Sequence, residues 1–421
     1  MDSAKPGRRI GPLRCATAAA LLWCASAAAG PLEEAGAALE RGDFAGAIRL
    51  LEPLAREGDT LAQANLGTLY QTGRGVLQDF AAAANWYRQA AEQGDAVAQN
   101  ALGKLYSAGL GVPRDHQNAA LWLAKAAEQG DARHQFDLAM LYDNGIGVEK
   151  DAARAAEWYA KAADQGLADA QANLGVLYQT GTGVERDLDR ALELYRRAAE
   201  KGSAKAQNNL GLLYTRGEGV AQDYAAAAEW FRLAAEQGLA EAMTNLGVMY
   251  DNGFGVPLDE PLAVDLYRAA AQQSAAASSL LDDLRHPWDP RLTPPADDPA
   301  AAARTRSAAE LGDPVAQYTL AAMHAAGIQV DQDFAQAARW YRRAAERGLA
   351  SAMANLGLLY VQGRGVPQDH VQGYAWINLA AAGGLAEAVA LRDLLVERMT
   401  PQQIGEAQAL ALDRAETAAG N

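Results

Sequence analysis

The sequence predicts an all-α protein in which 36-residue helical hairpins stack into a single array. The first observation is a 36-residue period, over which the same pattern returns eight times without internal gaps. The second is the spacing of apolar residues within each copy, which is that of two helices. The third is composition: half of the 421 residues are hydrophobic, yet only 7% are aromatic and 40 are glycine. Small residues recurring at helix contacts and turns produce such a composition.

The eight copies share one consensus sequence. It reads A-x-A-x-x-N-L-G-x-L-Y-x-x-G-x-G-V-x-x-D, followed by A-x-x-W-Y-x-x-A-A-x-x-G. Six copies occupy residues 60–275, and two occupy residues 314–385. A turn glycine and an aspartate occur in every copy: Gly73, Gly109, Gly145, Gly181, Gly217, Gly253, Gly327 and Gly363, with Asp79, Asp115, Asp151, Asp187, Asp223, Asp259, Asp333 and Asp369. This regularity indicates a stacked repeat protein rather than separate globular domains.

Each copy predicts two helices, called the A and B helix below. In the first copy, Ala62 and Leu66 fall on one face of the A helix. Gly73 suits a left-handed helix end, and Asp79 suits the N-cap of the B helix. Gly67 lies inside the A helix, where glycine costs about 1 kcal/mol relative to alanine. We therefore expect a close helix contact at that position.

The segments on either side of the repeats predict caps. Residues 30–59 reproduce the spacing of the second half of a copy and predict an N-terminal capping hairpin. Residues 386–421 predict C-terminal capping helices and a tail, and Thr400 with Gln403 forms a capping-box pattern between them. A repeat array needs such caps because its terminal repeats would otherwise expose their core.

Residues 276–313 interrupt the period. The segment is 38 residues long, and its end resembles the end of a copy. We interpret it as a degenerate repeat with a helix over about 276–285, a Pro-rich loop from His286 to Asp298, and a helix over 299–311. The alternative is a flexible linker between two solenoids, because five prolines crowd the segment: Pro287, Pro290, Pro294, Pro295 and Pro299.

Residues 1–29 predict a cleavable secretory signal peptide. A basic segment ending at Arg14 precedes an apolar stretch, and Ala25-Ser26-Ala27 fits a cleavage site. The stretch is too short for a membrane span. The Arg8-Arg9 pair leaves both the general and the twin-arginine export routes open. Removal of this leader takes away both cysteines and leaves 33 basic against 51 acidic residues, a net charge of −18.

The motif L-G-x-L-Y-x-x-G-x-G-V-x-x-D…A-x-x-W-Y-x-x-A-A at this spacing resembles the Sel1-like repeat (SLR), a relative of the tetratricopeptide repeat. The resemblance covers residues 60–385 and implies a right-handed superhelical α-solenoid. It also implies an adaptor or scaffold for macromolecular complexes. Exported bacterial members of the family include envelope regulators and parts of polysaccharide-secretion machinery. Other members, rich in cysteine, are associated with penicillin binding, but their disulfides have no counterpart here.

The sequence predicts no catalytic, cofactor or metal site. The five histidines, at positions 116, 134, 286, 324 and 370, show no paired ligand spacing. No serine is followed three residues later by lysine, so the nucleophile motif of penicillin-reactive enzymes is missing. The G-x-G motif follows a helix rather than a strand, unlike a dinucleotide fingerprint. We therefore predict a protein that is not an enzyme.

Two features are candidate partner-binding sites. The first is a series of asparagines at one position of the A helix: Asn65, Asn173, Asn209, Asn245 and Asn355. These side chains could bond nearby loop backbone, or they could form a polar row on the concave wall that holds an extended peptide. The second is Trp288 in the Pro-rich loop, which suits binding of an envelope glycan.

These features predict an exported, non-enzymatic scaffold that binds a protein or peptide in the bacterial cell envelope. The acidic mature chain favours basic or neutral partners. It disfavours nucleic acid, whose binding depends on neutralising phosphates. No apolar run is long enough for an integral membrane span. Alternatives are a β-lactam- or cell-wall-processing enzyme and an envelope glycan-binding module.

Overall fold

A computed structural model describes residues 30–279 and 299–419, and these residues form 21 α-helices and no strand. The all-α prediction is confirmed. None of the helices in these two ranges is both long and apolar enough to cross a membrane.

The helices follow the predicted hairpins. Two helices precede the repeats, namely α1 (Pro31–Glu40) and α2 (Phe44–Arg56). The A helices are α3 (Thr60–Thr72), α5 (Ala96–Ala108), α7 (Ala132–Asn144), α9 (Ala168–Thr180), α11 (Ala204–Arg216), α13 (Ala240–Asn252), α16 (Pro314–Ala326) and α18 (Ala350–Gln362). The B helices are α4 (Phe80–Glu92), α6 (His116–Glu128), α8 (Ala152–Asp164), α10 (Leu188–Glu200), α12 (Tyr224–Glu236), α14 (Glu260–Ser279), α17 (Phe334–Glu346) and α19 (His370–Ala382). The remaining helices are α15 (Pro299–Glu310), α20 (Ala386–Val396) and α21 (Pro401–Ala419).

The helix ends carry the predicted caps. The Asp79 carboxylate accepts hydrogen bonds from the backbone N–H groups of Ala81 and Ala82. Gly73 ends α3 in the left-handed region with φ 60°. Thr400 and Gln403 bond each other's backbone N–H, which confirms the capping box before α21. These local signals therefore set where the helices begin and end.

One turn position departs from glycine without changing its backbone. Gln329 replaces the second glycine of G-x-G and keeps a positive φ of 59°. It is the only non-glycine residue with positive φ among the described residues. The fold of the turn is thus imposed by its surroundings, because a side chain in this region is strained.

The helices stack in sequence order. Each A helix packs on the B helix of its own repeat, and within a run of repeats each B helix packs on the next A helix. Alanine and leucine fill these contacts, as with Ala62 and Leu66, which are both fully buried. Small side chains bring the helix axes close together, which explains the alanine excess.

The structure corrects one part of the prediction for the interruption at residues 276–313. The helix predicted to begin near residue 276 is instead the end of α14, which runs without a break to Ser279. The other copies end the B helix near a glycine such as Gly94, whereas the sixth copy has Ser274 there. Serine does not favour the left-handed stop that glycine provides, so the helix continues. The predicted loop from His286 to Asp298 lies outside the described residues, as does the predicted signal peptide.

In four of the six repeats that keep it, the mid-helix glycine of the A helix accommodates an aromatic ring; in the other two it faces Leu123 or Ile377. A Cβ on Gly175 would lie 2.7 Å from Cε1 of Tyr195, and a Cβ on Gly67 would lie 2.5 Å from Cδ1 of Tyr87. Both tyrosines are buried on the B helix of the same repeat. The close contact expected from the sequence is therefore between the A-helix backbone and this ring.

Two repeats have alanine in place of this glycine and pack a second aromatic ring against the tyrosine. In the third repeat Ala139 replaces the glycine, and Phe136 packs against the ring of Tyr159 with centroids 5.6 Å apart. In the seventh repeat, where Ala321 replaces the glycine, Tyr318 packs on Tyr341 in the same way, also at 5.6 Å. An extra methyl group at the glycine position thus coincides with an aromatic residue three positions earlier.

We expect Gly175→Ala to destabilise the protein by about 1–3 kcal/mol, because the new methyl group overpacks the ring of Tyr195. Adding Ala172→Phe should restore part of this loss, since the pair reproduces the third repeat. The control is Gly405→Ala in α21, where a Cβ meets nothing within 4 Å; it should stabilise by up to about 1 kcal/mol. Urea unfolding followed by circular dichroism measures all three, and equal effects of the two glycine changes would contradict this packing.

Candidate functional site

The tyrosine at this position of the B helix also carries a hydroxyl that reaches the neighbouring A helices. The Tyr159 hydroxyl accepts a hydrogen bond of 3.1 Å from Nδ2 of Asn173, in the next repeat. Asn209 lies beside the Tyr195 hydroxyl, and Asn355 donates from Nδ2 to the hydroxyl of Tyr318 in the preceding repeat at 3.4 Å. Asn173 and Asn355 therefore each join their repeat to the one before it.

The same hydroxyls donate to the A helix of their own repeat. Tyr195 donates to Oε1 of Gln179 at 2.8 Å, and Tyr159 donates to the Asp143 carboxylate at 3.3 Å. Burial of the ring raises the pKa of Tyr159 to about 12, with smaller contributions from its neighbours. The hydroxyls thus stay protonated and couple two A helices through one B-helix side chain.

Where the B helix has no tyrosine hydroxyl, the asparagine of the next repeat forms a hydrogen bond with another side chain. The fifth repeat has Phe231 in place of the tyrosine. Asn245 then donates from Nδ2 to Oδ1 of Asn208 at 2.9 Å. In a similar link between the second and third repeats, Asn100 donates to Asp137 at 2.8 Å. Polar links between neighbouring A helices are therefore kept by whichever side chains are available.

These contacts decide part of what the sequence left open about the asparagines. The partner of Asn173 is a tyrosine hydroxyl and that of Asn245 is a neighbouring amide, rather than loop backbone. Asn355 is fully buried, so it is closed to direct contact with a partner. The others keep part of their surface exposed: Asn65, Asn173, Asn209 and Asn245. The pairing of a tyrosine with the asparagine fourteen residues later was the sequence signal that the helix-face reasoning missed.

Exposed apolar side chains accompany the central asparagines. Position nine of the A helix is Met140, Val176 and Val248 in the third, fourth and sixth repeats, and these side chains are about 40% exposed. At the same position in the seventh and eighth repeats, Ala322 and Leu358 are buried. We name the central surface the A-face. It consists of Met140, Asn173, Val176, Asn208, Asn209, Asn245 and Val248.

The A-face contains a shallow depression between α9, α11 and α13. Its volume is about 240 Å³, and its lining includes Asn173, Val176 and Asn209. Lys205 and Glu241 lie at its edge and carry opposite charges. The surface thus offers amide groups, an apolar floor and no dominant charge, which suits an uncharged extended segment better than a phosphate or a metal.

The described residues contain no group of three or more His, Cys, Asp or Glu side chains that could hold a metal ion. Burial lowers the pKa of His134, which favours its neutral form. His324 takes the consensus tyrosine position and is partly buried. Trp288, the second predicted site residue, lies outside the described residues.

We expect the stability of the protein to fall as the pH rises from about 10 to about 12, because the unfolded chain loses the Tyr159 proton near its ordinary pKa of 10.0 while the folded chain retains it to about 12. Below pH 10 this contribution is fully present. Tyr159→Phe should reduce the loss of unfolding free energy between pH 8 and pH 11, measured by urea titration at each pH. Identical losses in the variant and the parent would contradict the assignment.

Comparison with known proteins supports this reading of the repeats. The family model described as the Sel1 repeat matches residues 60–95, 96–131, 135–167, 168–203, 204–239, 240–274, 314–349 and 350–385. A protective antigen of uropathogenic Escherichia coli with an SLR fold is 32% identical, covering 93% of this chain and 85% of its own, with a TM-score of 0.53. A Sel1 repeat protein from Oxalobacter formigenes is also 32% identical, covering 57% of this chain and 96% of its own, with a TM-score of 0.54. No curated protein matches the chain.

The matched segments cover well over half of the chain, and they coincide with the hairpins described above. Sel1 repeats mediate protein–protein interactions, and their proteins are typically non-enzymatic scaffolds built as all-α solenoids. The predicted SLR resemblance is confirmed. The chain belongs to the Sel1 repeat family.

Proposed function

We propose that this protein is an exported scaffold that binds an extended segment of a partner protein along the A-face of its central repeats. The observation that carries the proposal is the alternation of partly exposed asparagines with exposed apolar side chains at position nine. The combination is missing from the seventh and eighth repeats, where position nine is buried.

The asparagine amides keep hydrogen-bonding capacity for a partner. An amide has two N–H donors and a carbonyl oxygen that accepts two bonds. The bond from Asn173 to Tyr159 uses one donor and fixes the orientation of the side chain. The remaining groups can pair with the backbone of an extended segment, whose N–H and C=O groups recur regularly. Preorganised side chains lose little entropy on binding, which favours affinity.

The apolar floor would take side chains of the same segment. Val176 lies in the depression beside Asn173 and Asn209. Burying an exposed valine side chain contributes about 1.5–3 kcal/mol at most. Lys205 and Glu241 at the edge balance each other, so the local surface does not demand a charged ligand. The acidic mature chain as a whole then favours a neutral or basic partner over an acidic one.

The leader sequence supports placing the scaffold in the cell envelope. Its basic start, short apolar stretch and small-residue cleavage site are typical of exported proteins. Both cysteines, Cys15 and Cys24, fall within it. The exported chain would therefore depend on its packed core rather than on disulfides. We place its partner among envelope proteins.

We expect a photo-crosslinking amino acid at Val176 or Val248 to capture the same partner, because both positions lie on the A-face and are about 40% exposed. Leu121 and Leu233, exposed on B helices, are the matched controls. Captured proteins are identified by mass spectrometry from cells that make each variant. Equal capture of that partner at the control positions would contradict a binding site on the A-face.

The purified partner then tests the asparagines. Asn173→Ala combined with Asn209→Ala should weaken binding about tenfold, as the loss of two hydrogen bonds implies. Tyr159→Phe removes the supporting bond but no A-face atom, so it should change affinity less. Isothermal titration calorimetry measures both. Unchanged affinity in the double variant would exclude the asparagine row.

We expect the chain recovered from the periplasmic fraction to begin near residue 28 or 30, because cleavage after Ala27 or Ala29 fits the small-residue pattern. Intact mass and N-terminal sequencing measure this. Leu21→Arg with Leu22→Arg interrupts the apolar stretch and should keep the full-length chain in the cytoplasm. An uncleaved chain in the cytoplasm of the parent strain would refute export without affecting the A-face proposal.

A further inference from the structure

The two ends of the described chain meet in a buried polar contact. Asn378 on α19 pairs with the backbone of Gln78, in the turn of the first repeat: its Oδ1 accepts from the Gln78 N–H at 3.1 Å, and its Nδ2 donates to the Gln78 carbonyl at 3.2 Å. The Tyr374 hydroxyl donates to Oε1 of Gln78. Asn378 and Tyr374 are fully buried, and Gln78 is 5% exposed. Residues 300 positions apart thus satisfy each other's buried hydrogen-bonding groups.

The capping helices extend this contact. Gln408 on α21 accepts a hydrogen bond from the Phe80 N–H at 3.2 Å and donates to the Tyr374 hydroxyl at 3.2 Å. Arg392 on α20 is 1% exposed and donates from Nη2 to the carbonyl of Thr72 at 2.8 Å. Thr72 is the last residue of α3, and a cation is favourable at the carbonyl end of a helix.

Apolar packing surrounds these bonds. Phe80 and Tyr87 of the first repeat belong to one buried cluster with Leu391, Leu395 and Ile404 of the capping helices. Burying an arginine or amide without a hydrogen-bond partner destabilises a protein by more than the hydrogen bond stabilises it when it forms. The polar groups therefore stay buried only while the two ends remain in contact.

The residues involved differ from their counterparts in the other repeats. Gln78 is buried, whereas the side chains at its position in the other copies are all exposed: Arg114, Lys150, Arg186, Gln222, Leu258, Gln332 and Gln368. Tyr374 stands where the other B helices have aliphatic residues: Ala84, Ala120, Ala156, Leu192, Ala228, Val264 and Ala338. Asn378 stands where they have arginine or alanine: Arg88, Ala124, Ala160, Arg196, Arg232, Arg268 and Arg342.

We propose that helices α19–α21 are an intramolecular docking partner for the turn of the first repeat, residues 72–80, and that this contact holds the repeat array closed. An ordinary solenoid contacts only its neighbouring repeats and can bend along its length. Here the contact fixes the distance between the ends, and with it the relative positions of the repeats between them. The inference is independent of the proposed partner binding.

Amide hydrogen exchange tests the contact in the full chain. We expect the amides of Gln78 and Phe80 to exchange at least tenfold more slowly than those of Gln222 and Tyr224, which occupy the same positions in the fifth repeat. Asn378→Ala should remove most of this difference while leaving the amides around Gln222 unchanged. Equal protection in the two turns of the parent protein would overturn the proposal.

Crosslinking separates closure within one chain from pairing of two chains. Thr72 and Asp393 are bridged by the same Arg392 nitrogen, so Thr72→Cys with Asp393→Cys places two thiols within reach of a short bismaleimide. We expect a crosslink within the monomer, seen by mass spectrometry, and at least a tenfold lower yield on adding Asn378→Ala. Gln222→Ala is the matched control and should not alter the yield. Crosslinks found only in dimers, or a yield insensitive to Asn378→Ala, would overturn intramolecular closure.

Discussion

The packing of one B-helix side chain against one mid-helix position of the A helix supports every hairpin. At Gly175 the missing Cβ leaves room for the ring of Tyr195, and the ring fills the space between the helices. In the third repeat, Ala139 occupies this position and Phe136 packs on the ring of Tyr159 instead. Because the ring sets how closely the two helices approach, it also sets the position of its hydroxyl between them.

The A-face follows from that position of the hydroxyl. Asn173 is held by Tyr159 of the preceding repeat, so its amide points in one direction rather than several. Beside it, Val176 is 39% exposed. A surface that combines oriented amides with accessible apolar groups suits an extended protein segment. The same contact thus serves both the stability of the array and its proposed binding surface.

The ends of the array obey a different constraint. A terminal repeat has a neighbour on one side only, and its open side must be covered. Here Asn378, in the last repeat, and Arg392, in the capping helix that follows it, both cover part of the first repeat. The result is a contact of very long sequence separation in a fold otherwise built from local contacts. Such a contact links the stability of distant repeats, because breaking it exposes polar groups on both.

The sequence by itself determined the hairpins, their period, their caps and the family, because these depend on residues within a few helical turns. Gly73 and Asp79 end and start their helices in any copy. It did not determine which copies of a consensus position are buried. Gln78 is buried although its counterparts in the other copies are exposed, since its partner Asn378 lies 300 residues away in the chain. Only the tertiary structure decided this, because burial depends on what lies across space, and Gln78 is the same residue type as the exposed Gln222.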